Sequence, residues 1–388
     1  MKIEQTTWTQ ALGWHPQPSG ALLDTAQLVL AFAAPDLIRN PGLVEEIRRF
    51  YPQAIILGCS SAGEICGPHV LENSIVVTAL QFDRTLLGTA HINLTHTADS
   101  IQAGEQLAIA LPPTMNNEMG EPEKLAHVLL LTEGLDINGS DLITGLLQQL
   151  PAGVSVTGGL AGDGLSFKET LVFAENVPSK HTVTAVGLYG SQLRIGFGSL
   201  GGWDPFGPER VVTKSKKNIL YELDNRPALA LYKQYLGEHA SRLPASGLFF
   251  PLCIRSTSEV NAVVRTFLTF DEEAQSMTFS GNIPQGAYAR LMKCNPSSLI
   301  HGASSAAKKC ARNGGADEPE LAILISCVAR KLVLTQRTEE EVEAVSHILG
   351  PQAVLTGFYS YGEMAPFESG GRCELHNQTM TITTISEG

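Results

Sequence analysis

Three glycine–acid pairs, Gly63-Glu64, Gly162-Asp163 and Gly362-Glu363, stand where a backbone turn and a carboxylate could act together. A glycine ahead of the acid permits a positive φ, so successive N–H groups can converge on an anion or let a ligand approach the chain. The competing role is local: the carboxylate caps neighbouring N–H groups. Three retained acids are hard to reconcile with three ligands, which favours the local role. None of the turns has the spacing of a P-loop or of GxGxxG, so nucleotide phosphate is not their expected guest. Cys59 and Ser60, just ahead of the first turn, carry nucleophile chemistry, but the stretch does not fit GxSxG. A reactive thiol also needs a histidine or a helix N-terminus to ionise it. Covalent catalysis is therefore not expected, and the chain reads as a binding protein rather than an enzyme. Arg330, in SCVARK, and Arg255, after FPLC, could each clamp a carboxylate through the guanidinium fork. A buried Arg330 is costly unless paired, so an ion pair with Glu363 or another turn acid competes with that role.

The turns recur because a longer unit recurs. Helical runs at 43–51, 142–150 and 342–350 each stop at a proline, Pro52, Pro151 or Pro351, and the glycine follows eleven residues later. Ahead of each helix lies an apolar run, LVLAFAA, HVLLL or AILISCV. A strand–helix–strand–turn unit has been used three times. Its Gly-rich turns all fall at the same end, where α/β proteins bind ligands. Alternating apolar residues predict a hairpin after the first unit, from SIVVTALQF and LLGTAHINL, and another after the second, from HTVTAVGLYG and LRIGFGSL. The third unit ends in a single arm, LHNQTMTITTI. Segment 201–218, rich in Gly, Pro and charge, predicts a boundary between domains at 27–218 and 219–388, with 1–26 as an N-terminal extension. Beyond it come a helix beginning at Pro227, strand-like runs at 248–254, 262–270, 277–280 and 287–292, and a helix from Pro296 capped by Asn295. The expected fold class is mixed α/β: repeated units, antiparallel hairpins, and sheets covered by helices.

The 388 residues are 43% apolar and 17% charged, which is the composition of an ordered globular protein with a large core. A net charge of −12 argues against nucleic-acid backbone and anionic membrane as partners. The one basic cluster, Lys214-Ser215-Lys216-Lys217, reads as a solvated loop. No apolar run approaches the roughly 18 residues of a membrane helix, and the N-terminus lacks the apolar stretch of a secretory signal. Seven cysteines without CxxC spacing fit reduced thiols, so a cytoplasmic location is expected.

In chain order, GCSSAGE, YELDNRPALALYKQYLG, FPLCIR, LISCVARK, GFYSYGEMAPF and LHNQT resemble the FIST family over residues 27–385. The resemblance implies paired N-type and C-type domains and an intracellular sensory module. A chain of this kind is also similar to bacterial haem-binding nitric oxide sensors that act on a separate histidine kinase. Under that resemblance the cofactor is haem b, and the candidate iron ligands, in order, are His376, His301, His69 and His15. Neutral imidazole is a good iron ligand. His376 lies in LHNQT beside Asn377, at the expected start of the last strand; a hydrogen-bonded histidine fixing the chain end is its competing role. His301 has small neighbours in SLIHGASSAAKK, where a flat macrocycle could approach. His69 follows Gly67-Pro68, and His15 lies beside Trp14 outside the matched region. Haem propionates would call on Arg330. The other reading replaces haem with an amino acid or another small organic anion, recognised by Arg330, Arg255 and the glycine turns.

Overall fold

The computed structural model describes residues 1–256, 261–316, 318–368 and 370–388. The apolar runs become strands buried on both faces. Leu28–Ala33, Pro122–Thr132 and Leu321–Cys327 run parallel to Ile55–Ser60, Ser155–Leu160 and Val354–Ser360. Burial on both faces is why these runs show little alternation. The crossovers are the helices Pro41–Phe50, Gly139–Gln149 and Thr338–Leu349. Asn40 and Asn138 start the first two by accepting backbone N–H bonds from Gly42 and from Ser140 and Asp141. In each parallel pair a glycine faces the first strand: Gly58 opposite Ala31, Gly158 opposite Leu130, Gly357 opposite Leu324. A Cβ on Gly58 would lie 2.0 Å from the Ala31 carbonyl oxygen, so no other residue fits this approach without moving backbone.

The three units build three sheets that exchange strands in a cycle. Each unit adds a third, antiparallel strand to its own sheet: Ser74–Gln81, Thr182–Tyr189 and Met380–Glu387. The next segment then leaves. Leu86–Asn93 pairs with Thr182–Tyr189 of the second unit, and Leu193–Leu200 pairs with Met380–Glu387 of the third. Lys2–Thr9 closes the cycle beside Ser74–Gln81. The expected arms are thus strands, but the two arms of each expected hairpin sit in different sheets. Alternation identifies a half-buried strand without saying which edge it joins. The true hairpins follow the glycine turns, and each pairs with a neighbouring unit: Glu64–Cys66 with Val354–Ser360, Val172–Ala174 with Ile55–Ser60, and Gly362–Pro366 with Ser155–Leu160. The single arm expected at the end is two strands, Cys373–His376 and Met380–Glu387, so His376 closes the penultimate strand instead of opening the last.

Inner faces of all three sheets meet in one apolar core containing Leu30, Phe32, Leu131, Val186, Ile323 and Phe358. Phe32 and Phe358 stack there at 4.7 Å between centroids. A fourth sheet, of nine strands, runs from Asp204–Pro205 to Tyr288–Lys293 and has its own core under the helix Ala228–Leu236. Residues 248–249, expected at the start of a strand, lie in the 3-10 turn Ala245–Phe249. The helix Pro296–Arg312 is capped by Asn295, whose side chain accepts from the Ser298 N–H.

Candidate functional site

The three glycine turns meet at one end of the three-sheet body, tied head to tail by backbone hydrogen bonds. Ala62 N–H donates to Tyr359 O, Gly162 N–H to Ser60 O, and Tyr361 N–H to Leu160 O, at 2.9, 2.9 and 3.2 Å. The acids hold this junction from inside. Glu64 accepts from the Ser61 hydroxyl and from both the N–H and hydroxyl of Ser74. Glu363 repeats the pattern with the Ser360 hydroxyl and the N–H and hydroxyl of Thr379. Each carboxylate therefore joins its turn to the start of its unit's third strand. Burial pushes both carboxyls up to about 7, against the opposing pull of these hydrogen bonds. Asp163 works differently: it accepts from the N–H groups of Phe167, Lys168 and Glu169 and from the Tyr361 hydroxyl, shaping the loop that follows.

Arg330 lies in the helix Val328–Leu334, one turn past the strand it was expected to end. It is fully buried, and its partner is Glu341 of the third crossover helix, not a turn acid. Its Nε and Nη2 donate to Glu341 Oε2 at 3.0 and 2.7 Å, and the remaining donors go to the carbonyls of Gly201, Leu299 and Gln378. Nothing is left for a ligand carboxylate. Arg255 is on the fourth sheet, paired with Glu209 and stacked 4.5 Å from the Tyr288 ring centroid. Cys59 is wholly buried in the central core, and burial pushes its thiol well up, so it stays protonated. The Ser60 hydroxyl accepts the Leu171 N–H at 2.9 Å.

The histidines are scattered. His376 is buried, with Nε2 2.9 Å from the Ala365 carbonyl and its ring edge-on to Phe367; burial pulls it down to about 4. His301 is exposed on Pro296–Arg312, His69 is exposed 3.4 Å from Glu339, and His15 is exposed on a short strand. Among the described residues no group of His, Cys, Asp and Glu could hold a metal ion. Asn377 accepts from the Ser280 hydroxyl at 2.6 Å, and its amide nitrogen is buried without a partner.

Three cavities open beside the junction and share Leu165 as a common wall. Two, of about 610 and 600 Å³, are more polar than the third and reach Glu72, Lys331 and the Ser61–Glu64 turn. Lys331 is occupied there: it donates to the Ala62 carbonyl and pairs with Glu72. The third, about 760 Å³, lies between the second unit, the fourth sheet and the helix Val328–Leu334. Its lining is apolar, and it includes Leu165, Phe167, Phe249 and Leu268, each more than 40% exposed. Exposed apolar side chains concentrated in one concave site mark a binding surface. Thr266, which also lines it, is 5% exposed and its hydroxyl has no hydrogen-bond partner.

Of the sequence candidates, Gly63, Glu64 and Asp163 reach a polar cavity, whereas Gly362, Glu363, Arg330, Arg255, Cys59, Ser60, the four histidines and Asn377 line none of the three. The residues of the apolar cavity were not among the candidates. Their signal was large apolar residues set in loop composition, in GDGLSFKET and LPASGLFFP, where burial in a core is not the natural expectation.

Residues 27–226 match the FIST N domain and residues 228–366 match the FIST C domain. No curated protein matches the sequence. Among solved structures, the chain is similar to a cyanuric acid hydrolase from A. caulinodans at 8% identity and a TM-score of 0.36, over 100% of this chain and 98% of that one. A likeness at that level carries no argument about activity. The two domain matches together span most of the chain, the first over the first two units and the second over most of the fourth sheet and much of the third unit: the chain belongs to the FIST family of small-ligand sensors in signal transduction.

Proposed function

We propose that the sensed ligand occupies the apolar cavity between the second unit, the fourth sheet and the Val328–Leu334 helix. The carrying observation is that 760 Å³ hollow, which collects exposed Leu and Phe side chains from the second unit and the fourth-sheet region and is walled on its third side by the Val328–Leu334 helix. A guest there touches all three parts at once, so it favours the arrangement in which they close around it. That shift changes the surface shown to a separate signalling protein, a histidine kinase in this reading, at a cytoplasmic location. The protein acts by binding and not by catalysis, in keeping with a protonated, buried Cys59 and a Ser60 hydroxyl spent on backbone.

Haem b with nitric oxide on its iron has less support from these residues. Among the described residues no histidine lines any of the three cavities, and no Arg or Lys lines the apolar one to meet propionates. Cys327 lines it, but burial pushes that thiol up, away from the thiolate an iron would need. An amino acid lacks its counter-charges for the same reason, since Arg330 and Arg255 are both paired elsewhere. The test is a thermal-shift screen of the purified chain with Leu268→Trp as the filled-cavity control. The expected result is a stabilising compound whose effect disappears in the variant. A stabiliser equally effective in Leu268→Trp would move the ligand elsewhere. A Soret band in protein purified with haem supplied, shifting with nitric oxide, would restore the haem reading.

A further inference from the structure

Resting on the reading of the apolar cavity as the ligand site, we infer that its ligand is an uncharged, flat aromatic molecule with one hydrogen-bonding group, received by the Thr266 hydroxyl. Charge is excluded by the lining. Among the described residues, no Asp, Glu, Lys, Arg or His borders this cavity. An ion entering it would shed its water and meet no counter-charge, a penalty that outweighs the gain from burying its apolar part. The polar cavities next to it do carry ionic groups, so the neutrality is particular to this compartment.

Flatness and aromaticity follow from what the walls present. Phe167 and Phe249 supply open ring surface from two different segments, backed by the more buried rings of Tyr361, Phe267 and Phe279. Phe167 stacks on Tyr361 at 4.6 Å with planes 16° apart, and it is 43% exposed, so ring surface is left for a further aromatic body. Aromatic pairs gain more than their buried area alone supplies. The stack is held from behind by Asp163, which takes the Phe167 N–H at 2.8 Å and the Tyr361 hydroxyl.

Asn218, Thr278, Ser280 and Tyr361 also stand on the wall, and of these polar side chains Thr266 is the one with a buried atom left without a partner. The Thr266 N–H donates to Ser280 Oγ, and that hydroxyl donates onward to Asn377 Oδ1. Ser280 is thereby saturated on the side facing the protein, while the Thr266 hydroxyl has no partner although it is almost fully buried. Buried hydroxyls are rarely left unpaired, and Thr266 stands on the cavity wall, where a small turn of its side chain would present the hydroxyl to a ligand group.

The experiment uses one ring skeleton in three charge states: benzamide, benzoate and benzamidine, titrated into the full-length protein and followed by ligand-observed NMR. Benzamide is expected to bind about tenfold or more tightly than either ion. Thr266→Val, which keeps the shape and removes the hydroxyl, is expected to weaken benzamide about threefold to tenfold. Leu268→Trp should abolish binding of all three. Benzoate or benzamidine binding as well as benzamide, with loss in Leu268→Trp, overturns the ligand class and leaves the cavity as the ligand site. Benzamide binding untouched by Thr266→Val overturns the role of that hydroxyl. Binding that survives Leu268→Trp, or none from any probe, overturns the inference; only the former also counts against the cavity.

Discussion

Replacing Arg330 with methionine separates a structural arginine from a ligand clamp. The side chain is fully buried, and so is Glu341, whose Oε2 takes two of its N–H bonds while Oε1 takes the Ser326 and Tyr359 hydroxyls at 2.9 and 2.8 Å. Methionine fills much of the space but leaves Glu341 as a buried carboxylate without a cation, and three carbonyls lose a donor. Removing one partner of a buried pair costs about 3–5 kcal/mol. At roughly 2 °C per kcal/mol for a large domain, the melting midpoint should fall by about 6–10 °C. A second change, Glu341→Leu, removes the stranded charge, so the double variant should recover a large part of the loss. Calorimetry with far-UV circular dichroism reads both, and ligand binding measured below the transition should survive in each. A variant that melts with the wild type but has lost binding would falsify the structural assignment.

Three further outcomes follow from named groups. Glu64 and Glu363 are raised to about 7 in the fold, above the ordinary 4.5, so the native state holds their protons more tightly than the unfolded chain. The pair should therefore contribute about 1.5 kcal/mol of added stability as pH falls from 8 towards 6.5; His376 and His127, pulled down to about 4 and about 3, act in the opposite sense from about pH 7 downward and offset roughly half of it by pH 6.5. Urea titrations of the wild type and of the Glu64→Gln, Glu363→Gln variant across pH 8 to 6.5 check this, and an unchanged slope in the variant would refute it. Gly58→Ala puts a Cβ 2.0 Å from the Ala31 carbonyl oxygen and should cost about 3 kcal/mol or leave the chain insoluble; an unaltered melting curve would mean the strands do not approach as described. Iodoacetamide at neutral pH should label the partly exposed Cys66, Cys253 and Cys294 before the buried Cys59, read by peptide mass spectrometry. Fast, selective modification of Cys59 would reopen nucleophilic chemistry there.

Much of the fold was legible because it rests on local rules repeated three times. A proline ended each helical run, an apolar run preceded it and a glycine turn followed at a fixed distance, so the strand–helix–strand unit could be read from neighbouring residues. The site was less legible because its chemistry depends on partners. For Arg330 a clamp and an ion pair were both open, and the structure supplies the pair with Glu341, eleven residues on and one helix away. For His376 an iron ligand and a hydrogen-bonded histidine were both open, and its Nε2 lies 2.9 Å from the Ala365 carbonyl.

The sequence by itself determined the repeated unit, its polarity and the gathering of the glycine turns at one end, since periodicity and turn residues act within a few positions of the chain. Only the tertiary structure decided that the first two units each lend a strand to the next sheet and that every unit lends a hairpin to a neighbour, because strand pairing is a choice among edges that alternation leaves equivalent. The same closure decided where the hollow lies. Leu165, Phe167, Phe249 and Leu268 come from distant segments of the chain, and what makes them a site is that the closed fold leaves them around one hollow with no core to enter.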